Sequence, residues 1–123
     1  NGEQTRSFCY VSDLVDGLLR LMAVETPLAG PVNLGNPREL TVGALVDLVV
    51  RMTETPSRIV RRPLRVDDPQ RRRPDITRAE TLLGWSPRVP LEEGLEATIA
   101  WFSREIAPRR ARPAIEERAV VAG

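Results

Sequence analysis

The chain has 123 residues, 41% of them apolar and 28% charged, and a formal net charge of +1 at neutral pH, enough for one small domain with a core or for a piece of a larger one. All 18 cationic residues are arginine, so the histidine that serves as the usual general base is missing, as is the lysine that forms Schiff bases. No stretch reaches the roughly 20 apolar residues that span a bilayer, and aromatic residues, at 4%, are too few for a single-strand nucleic-acid surface.

The chain opens without methionine and without a basic region followed by an apolar core. That is expected of a processed product or of a piece of a longer protein. The single cysteine, Cys9, has no internal disulfide partner. The expected compartment is the reducing cytoplasm, and Cys9 is expected to be a strand residue rather than a nucleophile.

Residues 5–11 alternate, with Ser7, Cys9 and Val11 on one face and Arg6, Phe8 and Tyr10 on the other, which predicts a strand. Ser12 is the expected N-cap of a first helix, in which Leu14, Val15, Leu18, Leu19, Leu21 and Met22 recur at helical spacing. Residues 32–34 read as a short strand ended by Gly35, Asn36 and Pro37. A second helix is predicted over 41–52, with Thr41 as cap and Val42, Leu45, Val46, Val49 and Val50 as its buried stripe. Residues 58–62 read as another strand, and 63–74 as an irregular loop.

Thr77 and Glu80 have capping-box spacing, so a third helix is predicted from Thr77 to Leu83, stopped by Gly84. Leu91, Leu95, Ile99, Phe102 and Ile106 share one face of a last helix over 91–106. Residues 107–123 read as a mobile tail. Short strands separated by helices predict an α/β class with parallel connections, and so few strands read as the edge of a sheet centred elsewhere. Trp85, Trp101 and Phe102 are expected to anchor the core.

Eight arginines lie between positions 58 and 78, opposed only by Asp67, Asp68 and Asp75. Such a cluster suits a diphosphate or a carboxylate, because each guanidinium offers a planar fork of donors. Its alternative is a solvated basic loop with surface ion pairs. Pro63, Pro69 and Pro74 stiffen the segment, which lowers the entropy lost when a ligand orders it. Arg6, on the same face as Phe8 and Tyr10, is either a rim residue or a site residue. There is no Cys/His metal spacing, no P-loop and no G-x-G-x-x-G. Asp67 and Asp68 are only a weak cation signal.

Four blocks stand in order: 4–13 (QTRSFCYVSD), 31–37 (PVNLGNP), 67–76 (DDPQRRRPDI) and 83–95 (LGWSPRVPLEEGL). Together they resemble the C-terminal part of the extended short-chain dehydrogenases/reductases that act on nucleotide sugars, over about residues 1–106. The third block tilts the resemblance toward the UDP-glucuronate decarboxylases, with NDP-sugar epimerases and dTDP-glucose 4,6-dehydratases as near neighbours.

The resemblance implies a helix-rich, substrate-binding part of a Rossmann-like enzyme whose NAD-holding domain is missing here. In the family, NAD+ oxidises the sugar at C4 and the hydride is later returned; in the decarboxylases the intermediate 4-keto sugar is a β-keto acid that loses CO2, and the returned hydride gives UDP-xylose. The resemblance assigns Gln4, Arg6, Tyr10, Arg65 and Arg72 to the nucleotide-sugar pocket, with Arg6 supporting catalysis as well. It assigns no cofactor-binding or metal residue.

The family's glycine-rich loop and Tyr-x-x-x-Lys pair have no match here, so the chain alone is expected to be inactive and to bind no NAD. UDP-sugar and the missing domain are the expected partners. Self-association through unpaired edges is also expected, and a membrane or nucleic-acid partner is not. The alternative from another class is a non-catalytic, arginine-rich anion- or nucleic-acid-binding module.

Overall fold

The computed structural model describes residues 2–25, 27–61 and 69–110. Strand β1 (Thr5–Ser7) and strand β2 (Glu39–Thr41) pair antiparallel, with Thr5 opposite Thr41, Arg6 opposite Leu40 and Ser7 opposite Glu39. On the other edge of β1, Thr5 makes a parallel bridge to Arg71, and its N–H donates to the Gln70 carbonyl at 2.9 Å. The two strands are therefore antiparallel where parallel connections were expected. The reason lies in the helix that β2 leads into. The first amides of helix α2 (Val42–Thr53) have no partner within their own helix. Val42 donates instead to the Gln4 carbonyl at 3.0 Å and Gly43 to the Gly2 carbonyl at 2.9 Å. The antiparallel pairing thus runs on into the helix start.

The predicted first strand stops early. Helix α1 (Val11–Met22) begins where residue 11 was expected to be strand, and Tyr10, in an extended conformation, takes the cap position in place of Ser12. The Tyr10 ring lies against Gly94, where an added Cβ would come within 2.9 Å of it, so the chain turns at the aromatic residue. Residues 32–34 form no strand. Val32 and Leu34 pack on the core instead. Residues 58–61 are not strand either, and Arg62 falls outside the described residues.

Helix α2 is capped as predicted, with the Thr41 hydroxyl accepting from the Ala44 N–H at 3.1 Å. Its apolar stripe is only half-buried. Helix α3 (Thr77–Leu83) has no capping box. Asp75 Oδ1 accepts from both the Thr77 N–H (2.9 Å) and the Thr77 hydroxyl (2.7 Å), so Thr77 acts as a donor inside the helix. Gly84 ends α3 in the left-handed region (φ 58°), as expected, and this lets the Trp85 N–H reach the Ala79 carbonyl at 3.2 Å. Helix α4 (Leu91–Arg110) runs four residues into the segment predicted as a tail. The rest of that segment, 111–123, lies outside the described residues.

The core consists of Ile76, Ala79 and Trp85, with Cys9, Val32, Leu34 and Leu83 packed against it. Trp85 is 1% exposed, and its indole N–H donates to the Asp13 carbonyl at 2.9 Å. Trp101 and Phe102 do not anchor the core as expected. They pack edge-to-face on each other and stay half exposed. Much of the apolar stripe of α1 is also exposed, at Val11, Val15, Leu18, Leu19 and Met22. The helix meets the core through Asp13 and Gly17 rather than through that stripe. Among the described residues no helix is long and apolar enough to cross a membrane.

Gly17 sets how closely α1 approaches the core. An added Cβ would lie 2.9 Å from Trp85 Cε2 and 3.0 Å from Leu34 Cδ2. Gly17→Ala gains up to ~1 kcal/mol of helix propensity but forces a shift of the packed indole, at a cost of about 1–3 kcal/mol. The expected outcome is a lower midpoint in chemical denaturation. A midpoint equal to or above that of the parent contradicts the packing.

Candidate functional site

Three segments meet around β1. β2 lies on one edge, residues 70–71 lie on the other, and the side chains of β1 reach across to both. Arg6 Nη1 donates to the Thr5 carbonyl at 2.7 Å and to the Pro69 carbonyl at 2.9 Å. The Ser7 hydroxyl donates to the Arg72 carbonyl at 3.1 Å. These contacts fix the path of residues 69–72 beside the strand. Along that path lies an open recess of about 610 Å³, lined by Arg6, Ser7, Phe8, Arg71, Arg72, Arg73 and Pro74. Four guanidinium-bearing residues and a serine line one recess, a lining whose planar donor forks are chemically suited to an anion.

Arg71 is engaged by a carboxylate. Arg71 forms a two-pronged pair with Glu39, its Nε donating to Oε1 at 2.7 Å and its Nη2 donating to Oε2. The Thr5 hydroxyl donates to the same Oε1 at 2.7 Å. These bonds, with the nearby Arg73 charge, hold the Glu39 carboxyl down to about 2, and Arg71 is raised in turn. Sequence reading passed over Glu39. Its signal was a carboxylate in an otherwise apolar and Thr-containing run just before a helix cap, with the arginines that answer it more than 30 positions away.

The structure brings together two of the five expected site residues. Arg6 and Arg72 line the same recess. Gln4 lines another hollow, of about 190 Å³, between β1, the start of α2 and residues 59–61, and its side-chain carbonyl accepts from the Gly2 N–H at 3.1 Å. Tyr10 lines a third, largely apolar hollow of about 290 Å³ against α4. Arg65 lies outside the described residues, as do Asp67 and Asp68. Of the other arginines in the cluster, Arg78 donates to the Ala29 carbonyl at 2.6 Å, away from the recess.

Cys9 sits in the Tyr10 hollow. Burial, with a smaller push from the Asp13 charge, raises its thiol above the ordinary value, which suits a packing residue and not a nucleophile. Asp13, read from the sequence only as a first-turn residue, is buried. Its Oδ2 accepts from the N–H groups of Arg88 (3.0 Å) and Val89 (2.9 Å). No group of three or more metal-ligating side chains gathers among the described residues.

No protein-family profile matches the chain. In sequence it is 54% identical over 106 residues to UDP-glucuronic acid decarboxylase 1 of Danio rerio, covering 86% of this chain and 25% of that protein. Over the same length it is 47% identical to UDP-glucuronic acid decarboxylase 4 of Arabidopsis thaliana, covering 86% and 24%. The chain is a homologue of the UDP-glucuronic acid decarboxylases. It spans about a quarter of the length of these curated relatives.

Among solved structures, the chain is similar to UDP-glucose 4-epimerase of Thermotoga maritima with UDP-glucose (TM-score 0.78, 35% identity, 86% of this chain and 34% of that one). It is also similar to MoeE5 in complex with UDP-glucuronic acid and NAD (TM-score 0.80, 28% identity, 85% and 35%). Epimerase Mth375 of Methanothermobacter thermautotrophicus matches at TM-score 0.82 and 32% identity, over 89% and 33%. The resemblance to extended, nucleotide-sugar short-chain dehydrogenases/reductases and the Rossmann-like α/β class are thereby borne out.

Among the described residues, the helix starts do not have the form of a dinucleotide-binding turn. The α1, α2 and α3 helices follow Tyr10, Thr41 and Ile76, and α4 follows Pro90, so none opens out of a glycine-rich turn that would let backbone approach a dinucleotide.

The depressed Glu39 carboxyl gives a pH signature. Its folded value, about 2, lies below the ordinary 4.5, so the stability contributed by the Arg71 and Thr5 bonds is complete above pH 4.5 and is lost as pH falls through about 2. A carboxyl-carbon NMR titration should place the Glu39 midpoint near 2, and Arg71→Ala should move it up toward 4.5. A Glu39 midpoint near 4.5 in the parent contradicts the pairing.

Proposed function

We propose that this chain is the C-terminal, substrate-binding part of a cytoplasmic, NAD-dependent enzyme that converts UDP-glucuronate to UDP-xylose and CO2. The observation that carries the reading is the recess shared by Arg6 and Arg72, in a chain 54% identical over 106 residues to a UDP-glucuronic acid decarboxylase. In this reading Arg6 and Arg72 take the sugar diphosphate, which presents about two negative charges to the planar donor forks. Arg6, on the strand, also reaches toward the sugar carboxylate. Gln4 and Tyr10 belong to the walls of the pocket that the complete protein closes, and Arg65 to the same arginine-rich loop.

NAD, which MoeE5 binds together with UDP-glucuronic acid, would be held by residues outside this chain. With no histidine and no lysine, the chain supplies binding and charge but not the acid/base pair. The isolated 123-residue chain is therefore inactive in this reading. The recess of about 610 Å³ and the net charge of +1 favour a small anion over a nucleic-acid partner, whose binding would need a larger positive field.

A second reading, C4 epimerisation, is favoured by the similarity to the Thermotoga maritima epimerase. Incubating the complete protein with NAD and UDP-glucuronate labelled at the carboxylate separates the two. Release of labelled CO2 with formation of UDP-xylose is expected. A C4 epimer without CO2 establishes the second reading instead. In the active protein, Arg72→Ala should raise KM about tenfold or more with a smaller change in kcat, the loss expected for a charge-assisted bond to a diphosphate. Arg6→Ala should lower kcat as well.

A further inference from the structure

The Glu39–Arg71 pair crosses β1 from one edge to the other. Glu39 belongs to β2, opposite Ser7, and Arg71 belongs to the segment bridged to the far edge of the strand at Thr5. The carboxylate passes over the Thr5 hydroxyl, which it also accepts from, and closes on both Nε and Nη2 of Arg71. The Glu39 side chain is only 16% exposed, whereas that of Arg71 is 68% exposed, so the fixed end of this strap is the strand and the held end is the arginine segment. Among the described residues, other hydrogen bonds also join the segment to β1. These include the Thr5 N–H to the Gln70 carbonyl, Arg6 to the Pro69 carbonyl and Ser7 to the Arg72 carbonyl. Two of these involve residues that line the anion recess, Arg6 and Ser7.

We propose that Glu39 is a positioning residue for the anion site: by engaging Arg71 it fixes residues 69–73 against β1, so that Arg72 and Arg6 face one diphosphate. Arg71 in this account is a structural tether and not a ligand. A bidentate guanidinium–carboxylate pair has the directionality for this work, which a single surface ion pair lacks. The proposal rests on the functional reading above, and its test separates the two.

Two readouts in the complete protein decide it. The first is hydrogen exchange at the Thr5 amide, which donates to Gln70, with the Gly84 amide, which donates to Glu80 at 3.1 Å, as the control. Glu39→Gln should speed exchange at Thr5 by about tenfold, the scale set by losing a charged hydrogen bond, and leave Gly84 unchanged. The second is steady-state kinetics with UDP-glucuronate. Glu39→Gln should raise KM by roughly tenfold while kcat stays within about threefold, because a displaced binding segment weakens capture rather than the chemical step. A variant that merely unfolds in part loses active enzyme and leaves KM alone.

Arg71→Met should match Glu39→Gln, and the double variant should be no worse than either, since all three cut the same strap. Unchanged Thr5 exchange, or an unchanged KM, overturns the proposal. A much larger KM for Arg71→Met than for Glu39→Gln, with additive effects, overturns it too, because Arg71 is then itself a ligand. Faster Thr5 exchange in a protein that leaves UDP-glucuronate untouched keeps the strap and removes the functional reading.

Discussion

Asp13 ties together parts of the chain that are more than 70 positions apart. Its backbone carbonyl receives the indole N–H of Trp85, and its carboxylate receives the amides of Arg88 and Val89. One residue at the start of α1 therefore fixes the segment between α3 and α4. A buried carboxylate is costly unless its lone pairs are filled, and here two backbone donors fill one oxygen. Removing it would leave those amides without their acceptor, a loss of about 1–3 kcal/mol for each one left buried. Gly17, one helical turn on from Asp13, lets the indole come close enough for the bond to form. With α1 held this way, Tyr10 can lie on Gly94 and α4 has a fixed place beside the N-terminal segment.

The recess follows from that frame. Only residues 8–10 separate β1 from α1, so anchoring the helix also restricts the direction of the strand. β2 is set by the amides of α2, which borrow carbonyls from residues 2 and 4. What remains is the segment at 69–74, held by a backbone bond from Thr5 and by side chains reaching across from the strands. The core is built from apolar packing and backbone bonds, and the lining of the recess from charged and hydroxyl groups at its edge. A recess lined this way carries planar donors suited to an anion, and the chain has no histidine or lysine to take a proton there.

The helices were largely legible in the sequence because their signals are local. The Thr41 cap, the Gly84 stop and the apolar period of α4 each lie within a few residues of what they control. The strands were not, because three-residue strands carry almost no period and are defined by partners elsewhere in the chain. Residues 32–34 look like strand for the same reason that they pack on Trp85: both uses need apolar side chains. Trp101 and Phe102 show the limit of composition, since an aromatic pair at helical positions says nothing about what covers it. Arg6 and Arg72, which share the recess, were both picked out through the resemblance, whereas Glu39 was not, because its pairing depends on an arginine brought in by the fold.

The central claim is that Arg6 and Arg72 together receive the diphosphate of a nucleotide sugar. A crystal structure of the complete protein with bound UDP tests it directly. The account predicts diphosphate oxygens within hydrogen-bond distance of both guanidinium groups, with Arg71 still paired to Glu39. A diphosphate bound elsewhere, with Arg6 and Arg72 both turned away from it, would contradict the account.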